Sequence, residues 1–202
     1  MILIVITAAI VILGIICAVA EIIKTIGKMQ RPIFEPPERR AGRRGEAIAT
    51  AAIGQVLRED DYLLSNVRIS IPEKETELDN VIVNKYGVFI IEVKNYKGKL
   101  VGTTEDFEWK KYKTTDAEIT YEKDVKNPIR QVKRQIYILA RYLDYYGVEV
   151  WVKGYTILIE GNSPVDSEFI LDSICDIDRA IHTPNRVRLD KKTVEKIVEL
   201  LS

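Results

Sequence analysis

The sequence predicts a mixed α/β (α+β) domain behind one membrane-spanning helix, in the order αβββ(ββ)αβ, with helices flanking a mixed sheet. Three observations carry this expectation. The first twenty residues, MILIVITAAIVILGIICAVA, contain no charged side chain. From Tyr62 to Lys113 apolar residues recur at the period of strands, interrupted by turn residues. Before and after that block, the period is that of amphipathic helices.

Twenty helical residues at about 1.5 Å each reach roughly 30 Å, the thickness of a bilayer's hydrocarbon core. A secretory signal peptide is the competing interpretation, because Ala18-Val19-Ala20 resembles a small-residue cleavage site. The missing basic n-region and the length of the apolar run favour a retained anchor. Between Glu21 and Glu46, seven basic residues from Lys24 to Arg44 oppose four acids. Basic flanks stay inside, so the following domain is expected in the cytoplasm, with the short N-terminus outside. The membrane helix and an amphipathic extension take residues 1–28. Arg31-Pro32 and Pro36-Pro37 then break regular structure, which makes 29–41 a juxtamembrane linker.

In GRRGEAIATAAIGQVL, Ala47, Ile48, Ala51, Ala52 and Val56 have helical spacing, which predicts a helix over about 44–58. LLSNVRISI, LDNVIVN, VFIIEVKN, KLVGTT and DFEWKKYK follow as strands. NPIRQVKRQIYILARYLDYYG returns to helix: Ile129, Val132, Ile136, Leu139 and Leu143 form a stripe, and Asn127-Pro128 is a start signal. VWVKGYTILIEG reads as a further strand and LDKKTVEKIVELL as a closing helix. The globular domain accordingly covers 42–160, and 161–202 is a C-terminal extension.

Formal net charge is zero, so overall charge selects no partner. Its distribution is uneven: residues 85–135 hold twelve Lys or Arg against eight acids, and 160–180 hold six acids against one Arg. This leaves room for a local basic surface. Cys17 lies in the apolar run and Cys175 is alone in the rest, which excludes a disulfide framework and a cysteine zinc site. With His182 the only histidine, a multi-histidine metal site is excluded too. No Gly-rich phosphate loop is present, which argues against nucleotide-driven chemistry.

The chemistry concentrates in ELDNVIVNKYGVFIIEVKNYKG, residues 77–98. Asp79, Glu92 and Lys94 interrupt what is otherwise the composition of a buried sheet, and buried charges need partners or a task. NKYG is turn-forming, so the flanking strands pair antiparallel. With Lys85-Tyr86 as a two-residue loop, Asp79 and Glu92 become cross-strand neighbours with Cβ atoms about 5 Å apart. Lys94 then shares their face. A three-residue loop with Gly87 in a bulge shifts that register. Two carboxylates so placed repel unless a divalent cation joins them, and Mg²⁺ favours such oxygen ligands. A neighbouring ammonium could hold a water or offset charge developing on a phosphate. The alternative is a structural ion-pair cluster in which Lys94 neutralises one acid.

Gly45-Glu46, this hairpin, Trp109 and Asn127-Pro128-Ile129-Arg130-Gln131, in that order and spacing, resemble the nuclease-related domain, NERD. It is a branch of the PD-(D/E)xK nuclease-like superfamily, and the resemblance covers roughly 43–160. It implies a restriction-endonuclease-like αβββαβ core acting on DNA or RNA. It also implies that Asp79 and Glu92 ligate Mg²⁺ or Mn²⁺, that Lys94 supports the nucleophilic water, and that Glu46 and Gln131 complete the site. One position departs: Asn80 stands where many members have histidine. Asn does not titrate near neutral pH, and it points away from the Asp79 face, so a structural role is expected. His182 lies outside the resemblance, so no Ser-His-Asp triad is assembled around it.

Without the resemblance, Glu46 reads as a first-turn acid favoured by the helix dipole and Gln131 as an exposed polar residue. Arg130, Lys133, Arg134 and Arg141, with Lys97, Lys99, Lys110, Lys111 and Lys113, are candidate phosphate contacts, set against ordinary solvated charge. Tyr137, Tyr142, Tyr145, Tyr146 and Trp109 are candidates for stacking on bases, set against core or helix-end packing, the commoner use of aromatics. The expected function is a membrane-anchored, Mg²⁺-dependent nuclease-like domain, held in the bilayer through residues 1–20. The alternatives are an inactive module tethering nucleic acid or a protein partner to the membrane, and a plain scaffold.

Overall fold

The computed structural model describes residues 36–72, 74–115, 118–184 and 188–202, and its compact unit spans Glu38–Ser202. The apolar run 1–20, its extension to 28 and linker residues 29–35 lie outside the described residues, while linker residues 37–41 are helical. Among the described residues no helix is long and apolar enough to cross a membrane.

The central sheet has the order β1-β2-β3-β7-β8, formed by β1 (Tyr62–Ile71), β2 (Lys74–Asn84), β3 (Gly87–Lys94), β7 (Val152–Leu158) and β8 (Ile170–Leu171). Its first three strands form an antiparallel meander, while β7 runs parallel to both β3 and β8. A separate antiparallel sheet of β4 (Lys99–Val101), β5 (Glu108–Thr114) and β6 (Thr120–Lys126) is inserted after β3. The helices are α1 (Pro37–Val56), α2 (Pro128–Tyr145), α3 (Asp176–His182) and α4 (Lys191–Leu201). The mixed sheet and flanking helices are those the sequence predicts.

Strand alternation sorts the core into two layers. Val81, Val83, Val88 and Ile90 pack with Val132, Ile138 and Leu139 of α2 and Ile197 of α4. Ile82, Phe89, Ile91 and Val93 pack with Ala49 and Ile53 of α1 and Ile177 and Ile181 of α3. The first layer is tight where α2 crosses β7: a Cβ on Gly154 would lie 2.7 Å from Val132 Cγ2 and 2.8 Å from Ile136 Cγ1.

Two expectations are corrected, and three further elements appear. The first helix starts at Pro37, not near residue 44, because proline's fixed φ and missing N–H suit the first helical position as well as they suit a break. Its buried face is Gly45, Ala49 and Ile53, whereas Ala47, Ile48 and Ala51 are exposed. Small residues allow that close approach, since a Cβ on Gly45 would lie 3.0 Å from Asn95 Cβ. The C-terminal extension also holds β8 and α3, and β6 forms from a segment in which only Val125 is buried.

Two local devices set the geometry of the site. At the β2–β3 turn, Asn84 pairs with Gly87, so Lys85 and Tyr86 form a two-residue loop. Asn84 Oδ1 accepts from Tyr86 N at 2.8 Å, its Nδ2 donates to Ile181 O at 3.1 Å, and Gly87 takes a φ of +141°. At the start of α2, Asn127 Oδ1 caps the helix by accepting from Ile129 N at 3.0 Å, with Pro128 behind it. Asn127 Nδ2 donates to the carbonyls of Thr103, Thr104 and Asp106, and the buried Trp109 indole donates to Thr103 O at 2.8 Å. Asn127-Pro128 and Trp109 thus aim α2 at the sheet.

Candidate active site

The register closed by Asn84 and Gly87 continues to Asn80 opposite Ile91, and there the β2–β3 ladder stops. One residue further, Asp79 Oδ2 accepts from Val93 N at 2.8 Å, so a carboxylate stands where the next ladder bond would be. Across from it is Glu92, only 1% exposed. Glu92 is held from three sides. Lys94 Nζ donates to Oε1 at 2.6 Å, Gln131 Nε2 also donates to Oε1, and Gln135 Nε2 donates to Oε2 at 2.6 Å. Gln135 Nε2 also donates to Glu77 O at 3.1 Å, which leaves its buried Oε1 without a partner.

The electrostatics separate the two acids. Burial, and then the Glu92 charge, push the Asp79 carboxyl up to about 7 against the N–H of Val93 and the Lys94 ammonium, with Glu46 adding the smallest upward contribution. Burial alone would lower the Lys94 ammonium, but the charge and hydrogen bond of Glu92 outweigh it, and the group lies above its ordinary value. A carboxyl held near 7 beside a charged carboxylate is a place where a cation gains by displacing a proton. Two carboxylates are also the number Mg²⁺ takes from protein while keeping several waters. Among the described residues, no group of three or more His, Cys, Asp or Glu side chains is placed to hold a metal. The oxygen donors of Asp79 and Glu92 are of the type a hard, partly hydrated dication takes.

The sequence of the nuclease-related domain family, NERD, matches residues 41–159, more than half of the chain. The chain belongs to the NERD family. An uncharacterized protein of Bacillus anthracis is 28% identical over 69 residues, covering 34% of this chain and 32% of that protein. The chain thus spans about a third of the length of this curated relative. No solved structure matches.

Within the NERD domain, the structure brings Asp79, Glu92, Lys94 and Gln131 together, and half-buried Glu46 of α1 is near enough for its charge to raise Asp79 slightly. Asn80 lies on the other face, where its Oδ1 accepts from Thr50 Oγ1 at 2.9 Å and Ser65 Oγ at 3.1 Å. It joins α1 to the sheet, as a structural role requires. Gln135 is the site residue that sequence reasoning missed. Its signal was a polar residue inside the apolar stripe of α2, one turn beyond Gln131.

The basic candidates divide. Arg134 donates to Glu75 O at 3.0 Å, and Arg130 lies 3.9 Å over the Phe107 ring and donates to Glu105 O. Lys133 sits over Phe169 and Lys111 over Tyr96, while Lys97 is exposed. Lys110 is engaged elsewhere, paired with Glu122 at 2.7 Å and Asp124 at 2.8 Å on the inserted sheet, and both acids push it up. Trp109 is fully buried, so core packing and not stacking on bases is its role.

Proposed function

We propose that this NERD domain hydrolyses phosphodiester bonds of DNA or RNA with a divalent cation, Mg²⁺ or Mn²⁺, held by Asp79 and Glu92. The observation that carries the proposal is Asp79 opposite a buried Glu92 on which Lys94, Gln131 and Gln135 converge. When bound, the cation would supply Lewis-acid polarisation of the phosphate and a water made acidic enough to attack at neutral pH. Gln131 and Gln135 fix the Glu92 carboxylate, so it does not have to reorganise when charge develops. Lys94 orients the attacking water and offsets negative charge on the phosphoryl oxygens, while Glu46 adds an acceptor at the rim. Asp79 must release its proton to take part. In this reading residues 1–20 anchor the chain in the bilayer, with the short N-terminus outside and the domain in the cytoplasm.

Labelled single- and double-stranded DNA and RNA, incubated with the protein in Mg²⁺, Mn²⁺ or EDTA, test this. Cleavage that needs metal and disappears in Asp79→Ala and Lys94→Ala is the expected result. A second reading, an inactive nucleic-acid-binding or protein-interaction module, is favoured by one observation: both Glu92 oxygens already have protein donors. Nucleic-acid binding without cleavage by the unmodified protein selects it.

A further inference from the structure

Gln131 and Gln135 face the carboxylates, and the neighbouring outward stripe of α2 has a different chemistry. Arg134, Tyr137, Arg141 and Tyr145 follow at three- and four-residue spacing, and all are exposed. Tyr137, Arg141 and Tyr145 line a cleft of about 830 Å³ between α2 and the far end of the β1–β2 hairpin, with Lys74, Tyr142 and Tyr146, and Arg134 stands beside it through its bond to Glu75 O.

Three of these tyrosines are not core residues, and Tyr142 is partly buried against the core. Tyr137 is 51% exposed, Tyr145 78% and Tyr146 44%. Yet they are held in place: Tyr146 makes edge contacts with Tyr142 at 5.0 Å and Tyr145 at 5.1 Å, and the Tyr142 hydroxyl donates to Leu200 O at 3.0 Å. Cations are set among the rings. Lys74 Nζ lies 4.8 Å from the Tyr137 centroid, Arg134 clamps Glu75 O, and Arg141 pairs with exposed Asp144 at 3.2 Å. Glu75 is the acid on the opposite wall.

We propose that this cleft binds a single nucleic-acid strand and leads it to the Asp79–Glu92 centre. The proposal deepens the nucleic-acid reading above and rests on it. Exposed aromatic faces alternating with cations suit unpaired bases and their phosphates, whereas a duplex hides its base faces and offers only its backbone. The direction follows from α2 itself, because Gln131 and Gln135 touch Glu92 while Tyr137 and Arg141 line the cleft on the same helix. From Gln131 to Tyr145 the helix advances about 21 Å at 1.5 Å per residue. A stacked strand at 3.4 Å per nucleotide covers that distance in roughly six nucleotides.

The test uses the full chain in mild detergent with EDTA, so that binding is read without cleavage. Anisotropy is measured for fluorescent 12-nucleotide single-stranded DNA and RNA and for the matching duplex. The strands are expected to bind more tightly than the duplex. Tyr137→Ala and Tyr145→Ala should each weaken strand binding about tenfold, Tyr137→Phe and Tyr145→Phe should preserve it, and thermal unfolding should be unchanged. Arg141→Ala should lower the slope of log affinity against log salt by about 0.7. Alanine variants that bind strands like the unmodified protein, or a duplex that binds as tightly as the strand, overturn the proposal. Tyrosine-dependent strand binding without Mg²⁺-dependent cleavage leaves this site standing and removes the nuclease. Cleavage with tyrosine-independent binding does the reverse.

Discussion

Asp79→Asn should make the metal-free protein more stable at neutral and alkaline pH. The Asp79 carboxyl titrates at about 7 in the folded protein against 3.8 for the ordinary group. The folded state therefore binds more protons than the unfolded state between those values, and stability falls as pH rises through the interval. The contribution of this group is fully present below about pH 4 and lost above about pH 7. A shift of roughly three units at about 1.36 kcal/mol each amounts to ~4 kcal/mol. Asparagine keeps an oxygen that can accept the 2.8 Å bond from Val93 N and removes the charge. Urea unfolding of residues 38–202 in EDTA at pH 5, 6, 7 and 8 measures the difference between the two proteins. It should grow in favour of Asp79→Asn by about 1.4 kcal/mol per unit up to pH 7 and then level off. Adding Mg²⁺ at pH 8 to a hundred times its dissociation constant should recover about 2.7 kcal/mol for the unmodified protein and none for the variant. A difference that stays flat with pH would refute the assignment of Asp79 as a strained, proton-holding carboxylate.

Further perturbations test the surrounding contacts. Lys94→Met removes the partner at 2.6 Å from a carboxylate only 1% exposed, and should cost about 3–5 kcal/mol in denaturant unfolding. Gln135→Leu strips donors from Glu92 Oε2 and Glu77 O and should cost about 1–3 kcal/mol by the same measurement. The His182 imidazole lies between Asp61 at 2.8 Å and Asp178 at 2.5 Å, and the Asp61 side chain is only 5% exposed. His182→Ala leaves Asp61 Oδ2 with only the Arg58 N–H at 2.7 Å and should cost about 1–3 kcal/mol, which calorimetry reads as a lower melting temperature. In the proposed nuclease, cleavage at subsaturating Mg²⁺ should rise with pH through about 7 as Asp79 loses its proton to the metal, and a pH–rate profile at saturating Mg²⁺ should show that rise moved to lower pH.

The hairpin was legible because its punctuation is local. Asn84 and Gly87 fix the loop, and the two-residue strand period then places Asp79, Glu92 and Lys94 on one face. The helix carrying Gln131 was legible for a similar reason, since Asn127-Pro128 marks its start. Gln135 was not, because one polar residue in an apolar stripe looks like noise until its hydrogen-bond partner is known. The buried face of α1 was misjudged because alanine, glycine and isoleucine are interleaved there, and the side that packs depends on how closely Asn95 approaches. Nothing in the alternation of β6 separates it from a charged loop, as its only buried residue is Val125. The tyrosines of α2 and Trp109 carried the same weight in the sequence, and tertiary packing alone buries Trp109 and leaves Tyr137 and Tyr145 exposed.

The most direct test is cleavage of labelled nucleic acid by the unmodified protein, Asp79→Ala and Lys94→Ala, each in Mg²⁺ and in EDTA. Cleavage by the unmodified protein in Mg²⁺ alone, absent from both variants, is the predicted result. Cleavage that survives EDTA or either substitution, or intact substrate with a correctly folded unmodified protein in Mg²⁺, would contradict a metal-dependent nuclease centred on Asp79, Glu92 and Lys94.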